Sequence, residues 1–263
     1  AQRQARVAAN HICGIPDTGG SVIGSSVLKV FDLNAACTGL NERTCRKEGI
    51  PCGFAYVIPG DRVSLMPGSS PMHFKLLYEE PTGKLLGAQA IGAGAADKRI
   101  DVIAAMITGG ASLADLKELE LCYSPVHGTA KDVVNQAALV GLNLLHGAFR
   151  QISVTEVRRL VEEGAYILDV REREEFARGH LVNAVNIPLG EIRDRLEEIP
   201  EDRPVYLHCR SGQRSYYAVM ALQNLGRKNI YNISGSFLGI CLYEYYHDLA
   251  GNRKKIVTDY NFN

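Results

Sequence analysis

The chain has 263 residues, 46% hydrophobic and 22% charged, and its 29 Lys and Arg balance its 29 Asp and Glu. This is the length of two domains with separate cores and the composition of a globular protein. The neutral balance gives no electrostatic case for nucleic acid or an anionic membrane surface, and no apolar run approaches the ~18–20 residues that span a bilayer. No secretory signal is visible, so a cytoplasmic protein with reduced thiols is expected.

In chain order, residues 27–36 read as one long strand and residues 54–58 as another. Residues 74–78 and 85–91 flank Pro81-Thr82-Gly83-Lys84, which reads as a hairpin turn. Ile100, Ile103, Ala104 and Ile107 recur at helical spacing, and a second helix is predicted over about 131–145. An antiparallel sheet followed by helices makes this half an α+β domain.

The grammar changes at about residues 147–152. Ser153 and Glu156 read as a capping box opening a helix that ends at Gly164. Strands are then predicted at 166–170, 182–188, 205–208 and 229–233. Between them fall helices at 171–177 and at 191–199, the latter with Ile192, Leu196 and Ile199 on one face. A further helix carries Val219, Leu222 and Leu225 and stops at Gly226. Strands separated by helices predict a parallel sheet with helices on both faces, an α/β domain.

The seven cysteines are Cys13, Cys37, Cys45, Cys52, Cys122, Cys209 and Cys241. An odd count, irregular spacing and no C-x-x-C predict neither a disulfide framework nor a metal site. Six read as small buried side chains, with Cys241 as a weak alternative resolving thiol.

Cys209 differs because of its setting. Cys209-Arg210-Ser211-Gly212-Gln213-Arg214 lies between an apolar strand and a helix, where open α/β sheets bind ligands. Backbone N–H groups of such a loop form an anion nest at the helix N-terminus, which stabilises a thiolate. Gly212 relieves crowding in the tight turn, and Arg210 and Arg214 add positive charge for an anionic donor. Four residues separate Cys209 from Arg214, one fewer than in the protein tyrosine phosphatase loop; the smaller cradle suits a sulfur atom better than a phosphate. His208 points to the opposite strand face and reads as a core residue, and His180 as structural in its turn.

These residues resemble a rhodanese homology domain over about 151–240. The likeness rests on Asp169-Val170-Arg171-Glu172, Glu175-Phe176, Gly179-His180, Ala184 and Asn186-Ile187-Pro188, and on the run from Cys209 to Ser215. The resemblance implies that Cys209 attacks the outer sulfur of a donor and holds a persulfide. It also implies that residues 210–214 cradle that sulfur and that Asp169 and Arg171 support the loop. Gly235-Ser236 stands where many relatives carry two glycines.

Gly92-Ala93-Gly94-Ala95-Ala96-Asp97 imitates a dinucleotide fingerprint, but its third glycine and βαβ unit are missing, so it reads as a tight turn. Val30 to Leu33, Thr38 to Glu42, Lys84 to Gly94, Leu121-Cys122-Tyr123-Ser124-Pro125 and Ala130 to Asp132 resemble the dimerisation domain of pyridine nucleotide-disulfide oxidoreductases. The nearest likeness is to coenzyme A disulfide reductases fused to a rhodanese. The resemblance implies that 1–148 is that dimerisation domain, with 1–14 a helix remaining from a flavin domain, and that 149–263 is the rhodanese domain. It implies a homodimer, a sulfur-transfer module of a larger oxidoreductase, and FAD, NAD(P)H and coenzyme A in the full-length enzyme, with none bound by this chain alone. Small donors such as thiosulfate, polysulfide or coenzyme A persulfide would load Cys209. Tyr123 matches a tyrosine that reaches the partner's redox cysteine; a buried interface tyrosine is the equal alternative. A dimeric sulfur carrier without redox activity is the rival reading of the whole.

Overall fold

The computed structural model describes residues 2–262. Helix α1, Gln2–Ile12, buries none of its residues. The first sheet holds β1 (Ser26–Val30), β2 (Leu33–Gly39), β3 (Cys52–Val57), β4 (Met72–Glu79) and β5 (Leu85–Gly92), antiparallel in the order β1-β2-β5-β4-β3. Short α2 (Glu42–Lys47) and α4 (Leu113–Lys117) and longer α3 (Ala96–Thr108) and α5 (Val133–Leu145) complete this half. Helix α3 packs on β2 and β5, and α5 on β3 and β4. Phe74, Leu76, Ala88 and Ala90 meet Ile100, Ile103, Val134 and Ala138 in one core. Asp132 caps α5 and also pairs with buried Arg99 at 2.9 Å, joining the two helices. The antiparallel α+β reading is borne out.

One strand expectation is corrected. Residues 27–36 are two strands, because Val30 pairs with Leu33 around a two-residue turn in which Phe31 has φ 51. The apolar run Val27, Leu28, Val30, Phe31 and Leu33 hides that turn, and all five lie exposed on a sheet edge or its turn.

The second sheet is parallel throughout, with β6 (Gln151–Ile152), β7 (Tyr166–Asp169), β8 (Val185–Asn186), β9 (Val205–His208) and β10 (Ile230–Ile233) in the order β6-β10-β9-β7-β8. Helix α8 (Gln213–Asn224) covers one face, with Ala218, Val219 and Leu222 in its core. On the other face α6 (Val157–Glu162) and α9 (Ser236–Gly251) bury Val157, Leu160, Phe237 and Ile240. Helices on both faces are thus borne out. Among the described residues, no helix is long and apolar enough to cross a membrane.

Other expectations are corrected here. Residues 191–199 form no α-helix but 3-10 turns at Leu189–Glu191 and Leu196–Glu198, with the chain leaving helical geometry at Arg195 (φ −120, ψ 29). Arg195 reaches Glu191 and Glu198, the i+4 and i+3 spacing that reads as helix, and Ile192 and Ile199 remain buried. Ser153 accepts from Thr155 N and starts a 3-10 turn, so Glu156 closes no capping box. Only Val185–Asn186 of 182–188 pairs as strand, the predicted helix at 171–177 is α7 (Arg173–Ala177), and Leu225 is exposed. Helix α9 buries Phe237, Ile240 and Cys241 in one core with Ile256 and Val257 of the C-terminal segment.

The two halves pack on each other. Gln151 Nε2 donates to Phe54 O at 2.8 Å, and Asn143 Nδ2 to the Tyr216 hydroxyl at 3.0 Å. The Tyr56 ring lies so close to Gly235 that a Cβ there would collide with it.

Candidate active site at the domain seam

Strand β9 ends at His208 and α8 begins at Gln213, so the intervening residues must turn within one short loop. Gly212 makes the turn at φ 108, where a side chain would strain the backbone. Its N–H then points back at Cys209 Sγ, 3.2 Å away. Among the described residues it is the one backbone N–H recorded within hydrogen-bond distance of that sulfur. Ser215 Oγ donates to Gly212 O at 3.1 Å and fixes the turn on the first helical residues. Cys209 itself is 1% exposed.

The far side of the loop is held by α9. Phe237 N donates to Cys209 O and Leu238 N to Arg210 O, both at 3.0 Å. Cys209 N donates to Ser236 Oγ at 3.2 Å. Asp169 and Arg171 reach the loop through this helix. They form a fully buried ion pair at 2.6 Å, and the Arg171 guanidinium lies 4.0 Å from the centre of the Phe237 ring. Arg171 also donates to Gly179 O at 2.8 Å.

The two loop arginines differ. Arg214 makes two hydrogen bonds to Glu175, at 2.6 and 2.8 Å, and that contact holds the Glu175 carboxyl below its ordinary range. No side-chain hydrogen bond of Arg210 is recorded among the described residues; partial burial lowers its pKa, and it lines a groove with Ile58, Pro59 and Ser69 of the first half. Ser211, Gly212 and Gln213 face a second cleft of about 530 Å³, whose other wall includes Tyr56, Lys131 and Asn143. The mouth of the loop therefore opens on the seam between the halves.

His208 is buried, its imidazole 5.9 Å from the Phe237 ring centre and its Nε2 3.7 Å from Asp169. Burial lowers its pKa and keeps the ring neutral. His180 Nδ1 lies 2.9 Å from Phe176 O and the ring stacks on Phe176. Cys241 is buried, and burial raises its thiol pKa. Among the described residues no cluster of His, Cys, Asp and Glu could hold a metal ion.

The turn at 92–97 does not fit a dinucleotide. Strand β5 enters it from an antiparallel hairpin and not from a βαβ unit, and Asp61 packs against Gly94 where a Cβ would point.

Residues 25–134 match the family model of the pyridine nucleotide-disulphide oxidoreductase dimerisation domain, and residues 153–242 that of the rhodanese-like domain. The two matches follow one another along the chain without overlap. The coenzyme A disulfide reductase of Staphylococcus epidermidis is 32% identical over 113 residues, 43% of this chain and 25% of that protein. The crystal structure of reduced Bacillus anthracis CoADR-RHD superposes with a TM-score of 0.84 at 39% identity, covering 89% of this chain and 42% of that one. An NAD-dependent persulfide reductase from A. fulgidus gives 0.81 at 33% identity, with 89% and 42% covered. The chain thus spans a quarter of that curated relative and less than half of these two solved proteins.

In the dimerisation domain, Tyr123 is 52% exposed on a groove with Cys122 and Lys117. That groove shares Thr129, Lys131 and Leu139 with the seam cleft that reaches the rhodanese-like loop. Two contributors to the loop had no assigned role in the sequence reading, Glu175 and Ser236. Glu175 stood inside a family motif, and Ser236 was visible only as a departure from two glycines. Neither contact had a local sequence signal.

Proposed function

We propose that the rhodanese-like domain is a sulfurtransferase module in which Cys209 carries sulfane sulfur as a persulfide. The observation that carries this reading is the Gly212 N–H directed at Cys209 Sγ, 3.2 Å away, at the start of α8. A partial positive charge there faces the sulfur, on the side where an anionic donor and the outer sulfur would lie. With thiosulfate, Cys209 Sγ attacks the outer sulfur, the S–S bond breaks, and sulfite leaves with the electron pair. The product is the Cys209 persulfide. An acceptor nucleophile then takes the outer sulfur and Cys209 departs as thiolate. Neutral His208 takes no part, because neither step removes a proton from carbon or oxygen.

Arg210 meets the anionic donor, since no competing side-chain hydrogen bond of it is recorded among the described residues. Arg214, held by Glu175, fixes the start of α8 and adds its charge at a distance. Ser211, Gly212 and Gln213 line the entrance, and Asp169 and Arg171 brace the loop through Phe237.

The chain serves within a larger coenzyme A disulfide, persulfide or polysulfide reductase that is cytoplasmic and homodimeric through 1–148. The names of the similar proteins support the coenzyme A disulfide and persulfide reductase part of this reading, and the match to a dimerisation domain supports the dimer. Flavin and NAD(P)H would be held by residues other than the 92–97 turn. Tyr123, exposed in the dimerisation domain, would then face the partner subunit.

Incubation with thiosulfate and cyanide tests the reading. Thiocyanate should form, and Cys209→Ser should abolish it. Persulfide loading without thiocyanate would instead favour a sulfur carrier.

A further inference from the structure

Ser236 adopts a left-handed backbone, φ 48, which glycine takes freely and serine only at a cost. It follows Gly235, also left-handed at φ 77, and is completely buried. Such strain persists where the side chain does something that glycine cannot.

The hydrogen bonds around its hydroxyl show what that is. Ser236 Oγ accepts the N–H of Cys209 at 3.2 Å, so its own proton remains to be given. Three acceptors surround it: Ser215 Oγ at 3.4 Å, Ile233 O at 3.5 Å and Cys209 Sγ at 3.9 Å. Ser215 has already given its proton to Gly212 O at 3.1 Å. The one donation recorded for the Ser236 hydroxyl is to Ile233 O, at 3.5 Å the outer limit of a hydrogen bond, and its contacts with Ser215 Oγ and Cys209 Sγ are also long, so the proton is weakly held. A sulfur that bears negative charge is the strongest acceptor of the three.

We propose that the Ser236 hydroxyl is a second hydrogen-bond donor to the Cys209 sulfur, acting beside the Gly212 N–H. It turns toward Sγ when that atom is charged, as the thiolate before attack and as the leaving thiolate when the persulfide gives up its outer sulfur. No atom is transferred; only the hydroxyl rotates. The inference rests on the sulfur-transfer reading for its role in turnover, but the contact itself is testable without any sulfur donor.

The experiment follows iodoacetamide alkylation of Cys209 against pH by site-resolved mass spectrometry, in the full chain and in Ser236→Ala and Ser236→Gly. Both variants lack the hydroxyl, but only glycine releases the left-handed strain, so Ser236→Gly should melt above Ser236→Ala. Cys209 alkylation at neutral pH should slow about tenfold in both, from the loss of one hydrogen bond to a charged group, and its profile should move toward higher pH. A role in backbone support alone would make alkylation follow the melting order instead. Unchanged alkylation in both variants, or a change confined to Ser236→Ala, would overturn the proposal. Thiosulfate loading of the unmodified chain is measured alongside. If that chain does not load, the sulfur-transfer reading falls; if it loads and both variants alkylate as it does, the Ser236 inference alone falls.

Discussion

Glu175 and Arg214 are joined by two hydrogen bonds, 2.8 and 2.6 Å long, that tie α7 to the first turn of α8 across 39 residues of sequence. The contact separates the tasks of the two loop arginines. One is spent on holding the helix that presents Gly212 to Cys209. The other, Arg210, stands at the seam with no recorded side-chain hydrogen bond among the described residues.

Glu175→Gln should therefore destabilise the chain by about 1 kcal/mol at neutral pH, the size of a partly exposed ion pair of good geometry. Arg214 depresses the Glu175 pKa from its ordinary 4.5, so the stabilisation is present above that value. It is lost as pH falls through the depressed one. Urea denaturation at neutral and acid pH should show the gap between the two proteins closing on acidification. A gap independent of pH would contradict the assignment.

Asp169→Asn should cost about 3 kcal/mol, because it leaves the Arg171 guanidinium buried without its counter-charge. The pair is fully buried, so salt should screen the loss little. Chemical denaturation at low and high salt measures both effects. A change under about 1 kcal/mol would mean that the Gly179 carbonyl and the Phe237 ring suffice to hold Arg171.

The parallel sheet and the Cys209 loop were legible because their signals are local. Strand β9, the turn at Gly212 and helix α8 follow one another in sequence. The brace behind the loop was not legible. Ser236 meets Cys209 from 27 residues away, and Arg171 meets Phe237 from a helix much later in the chain. Residues 191–199 misled for a related reason. Ile192, Leu196 and Ile199 sit at helical spacing, but Ile192 and Ile199 are buried from a chain of tight turns bridged by Arg195.

Burial lowers the His73 pKa from 6.5 to about 4, and its Nδ1 lies 2.6 Å from the Tyr56 hydroxyl. The unfolded chain binds the proton first as pH falls, so stability is intact above about pH 6.5 and declines toward pH 4. The decline should be on the order of 2–3 kcal/mol and should flatten in His73→Gln. Thermal melts across this pH range measure it. A slope unchanged by the substitution would assign the acid sensitivity to other groups.

The chain should sediment as a dimer at micromolar concentration, as its dimerisation domain predicts. A monomer under those conditions would count against homodimer formation through residues 1–148.

Persulfide formation on Cys209 is read by mass spectrometry of the intact chain after exposure to thiosulfate or polysulfide. One added sulfur atom on Cys209, removed by cyanide and absent in Cys209→Ser, is the predicted result. A chain that stays unmodified, or one that gains sulfur on another cysteine while Cys209 stays bare, would contradict it.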